Sequence, residues 1–79
     1  MGGTSRLASA FAEVIRRRRE QKGLSQEALA EGAGVHHTYV GLVERGKRKP
    51  TLDVAARLAS ALGRKLSTLI AEAERRARD

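Results

Sequence analysis

The chain has 79 residues, no Cys and a formal net charge of +7. Its length makes one domain with a small core, which a partner subunit commonly supplements, while the missing Cys excludes disulfides and thiolate metal sites and fits a reducing cytoplasm. The apolar residues never form the roughly 18-residue run of a membrane span or the core of a signal peptide, and so strong a positive charge points to a polyanion as partner.

Residues 1–5 read as a small-residue flexible tail, with Thr4 or Ser5 placed to cap a first helix. The pair Met1 and Gly2 lacks the Ser or Thr at position six that myristoylation wants, since Arg6 stands there. The first helix runs to about Lys22, before Gly23. Leu7, Phe11, Val14 and Ile15 form its apolar stripe. Four basic residues, Arg16 to Arg19, follow on it, and the first two read as a solvated face. Ser25 is a good N-cap for a second helix from Gln26 to Ala33, with Leu24 stapled over the first turn. Leu29 and Ala30 give that helix a small apolar face. Gly34 allows a sharp turn, and Val35 plugs the angle behind it. A third helix runs from about His37 to Arg45, with Val40 and Val43 inward and Gly46 as its stop. A helix, a short turn containing Gly and a second helix make a helix-turn-helix.

In that geometry the third helix lies in the DNA major groove. His37, Thr38, Gly41, Leu42 and Arg45 are left pointing outward. Thr38 bonds almost any base, and Leu42 suits a thymine methyl. Gly41 is costly inside a helix, by about 1 kcal/mol relative to Ala, and close approach to the groove would repay it. Tyr39 and Arg45 are assigned to the phosphate backbone. Lys47, Arg48 and Lys49, in the loop that ends at Pro50, form a basic clamp that gives affinity without sequence choice. His36 and His37, placed on one helix, would point about 100° apart. With no Cys or acidic residue at ligand spacing, no metal and no cofactor are expected.

Thr51 caps a fourth helix, with Leu52 and Asp53 in its first turn. Val54, Leu58 and Leu62 mark its buried side, and Gly63 ends it. A fifth helix, about Leu66 to Arg78, carries Leu66, Leu69, Ile70, Ala73 and Ala77 at helical spacing. One small domain does not easily cover both this stripe and its own core. Leu62, Leu66, Leu69, Ile70 and Ala73 are therefore assigned to a homodimer interface, within a dimerising segment at residues 64–79. Glu72, Glu74, Arg75, Arg76, Arg78 and Asp79 read as a charged outer face.

One stretch carries a family resemblance. Leu24-Ser25-Gln26-Glu27, Leu29-Ala30, Gly34-Val35, Thr38-Tyr39-Val40 and Glu44-Arg45-Gly46, leading to Pro50-Thr51-Leu52, resemble the Xre-type helix-turn-helix of phage repressors and Cro proteins. Within that family the chain is most similar to the small controller proteins of restriction-modification systems. The resemblance covers about residues 11 to 70. It implies an all-α, five-helix fold like that of lambda repressor. It also implies a structural ion pair between Arg19 and Glu44 that turns the Arg toward a phosphate, a backbone contact from Gln26, and a base-reading role for His37. The family has a capping Ser, Thr or Asp where His36 stands. Arg18 departs too, from a usual Leu or Ile, and must lay its stem over the core or reach DNA. Arg64 and Lys65 replace the usual Val-Ser.

The expected function is sequence-specific regulation of transcription. Two recognition helices of a dimer, about 34 Å apart, would read a palindromic operator. Bound upstream the dimer would recruit RNA polymerase, and over the promoter it would block it. A phage repressor and an antitoxin-type module with a protein partner are the alternatives. No acid, His and nucleophile constellation supports an enzyme. One Phe and one Tyr are too few to stack RNA bases.

Overall fold

The computed structural model describes the backbone of residues 2–78 and the side chains of residues 6–78. Five helices follow one another: α1 (Gly2–Lys22), α2 (Gln26–Ala33), α3 (Tyr39–Glu44), α4 (Leu52–Ala61) and α5 (Leu66–Arg78). The all-α expectation holds, with helix limits set by the residues that cap them. Ser25 Oγ accepts the Ala28 N–H at 3.0 Å, and Thr51 Oγ1 accepts the Val54 N–H at 3.2 Å. At the far end of α2, Gly34 turns left-handed at φ 71° and the Val35 N–H reaches back to the Ala30 carbonyl at 3.0 Å. That closure sets the angle at which α3 leaves α2.

Two helix starts differ from expectation. The backbone is helical from Gly2, so Thr4 and Ser5 lie inside α1 and not ahead of it. Met1 and the side chains of residues 2–5, on which the expected tail and cap fall, lie outside the described residues. Regular α3 begins at Tyr39 and ends at Glu44. The Tyr39 N–H bonds the His36 carbonyl at 2.9 Å, a tight i to i+3 step that holds His37 and Thr38 in the turn before it.

The core gathers Phe11, Val14 and Ile15 of α1, Leu29 of α2, Val40 of α3, Leu58 of α4 and Leu69 of α5. Each such side chain contributes about 1.5–3 kcal/mol on burial. Leu7, Leu24, Val35 and Val54 pack partly buried against it, as their spacing implied. The most extensive helix contact is α1 on α5, and α2 lies on α4.

That packing corrects the dimer stripe. Leu62, Leu69 and Ala73 are 5%, 0% and 0% exposed within this one chain. They belong to the core cluster of the chain itself, so no partner reaches them. Leu66 and Ile70 remain half-buried at the edge of the core. Among the described residues, the large apolar side chain left in the open is Leu52 of α4, 77% exposed. It lines an apolar hollow with Leu7, Phe11, Pro50 and Ile70.

The charged outer face of α5 holds for the exposed Glu74, Arg75 and Arg78 and is corrected for Glu72 and Arg76, while Asp79 lies outside the described residues. Glu72 bonds Arg18 of α1, at 3.0 Å to Nε and 2.9 Å to Nη2. Arg76 pairs with Glu13 at 3.2 Å, and Arg6 donates to the Ala77 carbonyl at 2.8 Å. Arg18 is half-buried, and its head group is turned to Glu72 of α5 and not toward the α3 face. Its guanidinium braces α1 on α5.

Candidate nucleic-acid interface

The recognition helix is held from behind by a three-residue network. Arg19 projects from α1 and meets Glu44 in the last turn of α3. Its Nε donates to Glu44 Oε2 at 2.7 Å and its Nη2 to Oε1 at 3.1 Å. A third donor, Nη1, bonds the Leu24 carbonyl at 2.8 Å, just before α2. Gln26 Nε2 adds a bond to Glu44 Oε1 at 3.0 Å. One carboxylate thus ties α1, α2 and α3 together.

Both partners are screened from water, Arg19 at 13% and Glu44 at 3% side-chain exposure. The hydrogen bond to Glu44 raises the Arg19 pKa further, against the pull of burial, so the guanidinium stays charged. The arrangement matches the ion pair implied by the family resemblance. It leaves Arg19 less for a phosphate than that resemblance implied, because three of its N–H groups are spent inward.

The face in front of this network carries the expected recognition residues. His37, Thr38 and Arg45 are exposed, as are Lys47, Arg48 and Lys49 in the loop beyond. Leu42 is half-buried. Its carbonyl accepts the Lys47 N–H at 2.8 Å while Gly46 takes φ 75°, which folds the basic loop back beside α3. Arg48 lies 5.8 Å from the centre of the Tyr39 ring, within cation–π reach. The loop therefore sets the Arg48 guanidinium beside the first residue of α3.

The two imidazoles do not diverge as two residues on one helix would. His36 precedes α3 and His37 sits in the turn, so their rings stack with centres 4.4 Å apart. His36 does not cap regular α3, which has Thr38 as its N-cap without a side-chain bond; it closes the turn ahead of the helix. Its Nδ1 accepts the Thr38 N–H at 3.2 Å and lies 3.0 Å from the Thr38 hydroxyl. His36 thereby fixes Thr38 and stacks on His37, the two residues of the turn expected to touch bases.

Gly41 departs from its expected role. It is buried, covered by Gln26 and Arg45 of its own chain and not left open to a groove. Among the described residues no group of three His, Cys, Asp or Glu side chains is placed to hold a metal. No helix among them is long and apolar enough to cross a membrane.

The sequence profile of the helix-turn-helix family matches residues 15–69, which spans α2, α3 and the network behind them. The chain belongs to that family, whose members here are regulators of transcription and not enzymes. Within it, similarity runs to controllers of restriction-modification systems. The control protein C.SmaI of Serratia marcescens is 46% identical over 60 residues, 76% of this chain and 71% of that protein. C.BamHI of Bacillus amyloliquefaciens is 36% identical over 61 residues, 76% of this chain and 75% of its own. Among solved structures, the controller C.AhdI of Aeromonas hydrophila superposes with a TM-score of 0.75 at 42% identity, over 78% of this chain and 94% of that one. The controller C.Esp1396I, as a tetramer on its natural 35 base-pair operator, superposes at 0.84 with 25% identity, over 92% and 96% of the chains.

Proposed function

We propose that the protein is a controller-type regulator that binds a two-fold symmetric operator as a dimer, in the cytoplasm. One observation carries this reading. A desolvated Arg19, Glu44 and Gln26 network locks α3 in front of the core, with His37, Thr38 and Arg45 exposed and three cations folded beside them. Rigid delivery of a helix face is what base readout needs, and a flanking basic loop supplies the phosphate contacts that fix register. His37 and Thr38 read base edges, with Leu42 offering a methyl contact at the margin. Tyr39, Arg45, Lys47, Arg48 and Lys49 hold the backbone.

The similarity to an operator-bound controller supports the same use here. Leu52, with Ile70 and Leu66, supplies the dimer face in place of the stripe that the core consumes. Occupancy is the mechanism. Upstream of a promoter the bound dimer recruits RNA polymerase, and over the promoter it excludes it.

Selecting bound duplexes from a random DNA pool at physiological salt, and sizing the complexes, tests this. The expected result is a two-fold symmetric consensus bound by a dimer or a pair of dimers. Unselective binding that disappears with salt would leave only bulk charge at work and end the operator reading.

A further inference from the structure

Gly41 sits in the middle of a six-residue helix, where glycine is the poorest former short of proline. Its backbone does not need glycine, since it is not among the positive-φ positions of the chain. What it provides is space. A Cβ there would stand 3.1 Å from Arg45 Nη1, 3.1 Å from Gln26 Oε1 and 3.6 Å from Gln26 Cδ. Two side chains from different helices therefore converge on the one missing methyl.

The orientation of the Gln26 amide is also set. The Glu44 carboxylate, which takes two Arg19 N–H bonds, also accepts from Gln26, so Gln26 turns Nε2 toward it. That leaves Oε1, an acceptor, beside Gly41 and the Arg45 guanidinium. Among the described residues Arg45 has no carboxylate partner, so its charge remains available.

We propose that Gly41 is a positioning residue for DNA recognition. Its missing side chain seats the Gln26 amide, oriented by Glu44, and the Arg45 guanidinium together over α3, so that they meet DNA as a unit. This rests on the operator-binding reading. It assigns a cause to Gly41 other than contact with the groove.

Gly41→Ala tests it in three readouts. The variant melts at the wild-type temperature or above, because Ala favours the helix. In the DNA-free protein the Gln26 side-chain amide resonances shift, as the methyl displaces the carboxamide. Affinity for the selected operator falls about tenfold in the wild-type background. It falls less than about twofold when Gln26 and Arg45 are both already Ala, measured at low salt where phosphate contacts sustain binding. Unmoved Gln26 resonances would overturn the proposal. So would an equal loss in the double-Ala background, which would mean that the methyl strikes DNA directly. The DNA-free spectrum reads the seating even if the random pool selects no operator, so failure of the operator reading is seen separately.

Discussion

Arg18 and Arg19 are neighbours on α1, about 100° apart round the helix, and they hold opposite sides of the molecule. Arg19 reaches Glu44 on α3, with side-chain exposures of 13% and 3%. Arg18 reaches Glu72 on α5, with exposures of 23% and 18%. The first pair is also bonded to Leu24 and Gln26, so both its members have filled surroundings. The second has only the 3.5 Å bond from Arg18 to Gln21 beside it. The lesson is that burial, more than distance, decides what an ion pair does. The drier pair is costly to break and fixes geometry, whereas the more exposed one is a more modest brace.

Four variants break or sharpen that contrast. Arg19→Ala leaves the Glu44 carboxylate buried with only Gln26, and should cost about 3 kcal/mol in urea unfolding. Specific DNA binding should be lost with it, as α3 loses its support. Removing Glu44 as well should cost less than the sum of the two single changes, by a double-mutant cycle. His37→Ala should act on the site alone. It should weaken operator binding by about 1–3 kcal/mol and relax base choice, with the melting temperature unchanged. Equal weakening on every DNA sequence would remove His37 from base readout. Arg18→Leu should act on the brace alone. It should cost no more than about 1 kcal/mol of stability and leave DNA affinity as it was. If it weakened DNA binding as much as Arg19→Ala, the two sides of α1 would not be distinct. Lys47→Ala should change stability least. It should flatten the salt dependence of binding by about one unit on all sequences, and an unaltered slope would take it out of the clamp.

Local chemistry was legible in the chain wherever a residue acts on its neighbours. Ser25, Thr51, Gly34 and Gly46 set helix ends through bonds spanning a few residues, and each stands where its type requires. The network behind α3 was legible through family resemblance, because Arg19 and Glu44 are 25 residues apart and no periodicity links them. The pairing of Arg18 with Glu72, 54 residues away, had neither aid. The dimer stripe failed for a related reason. Helical spacing identifies an apolar face but not what covers it, and α1 covers Leu69 and Ala73. Leu52 was read only as a first-turn residue, since exposure depends on neighbours distant in the chain.

The bond from Arg6 to the Ala77 carbonyl has a consequence for chain connectivity. It holds the first turns of α1 against the last turn of α5, so the two ends of the fold meet at one pole. Along α1 that pole lies about 20 Å from Arg19, thirteen residues on at 1.5 Å each. A few flexible residues would join the ends, and the turn at Gly63 offers a place to reopen the chain. The permuted polypeptide should keep its recognition helix.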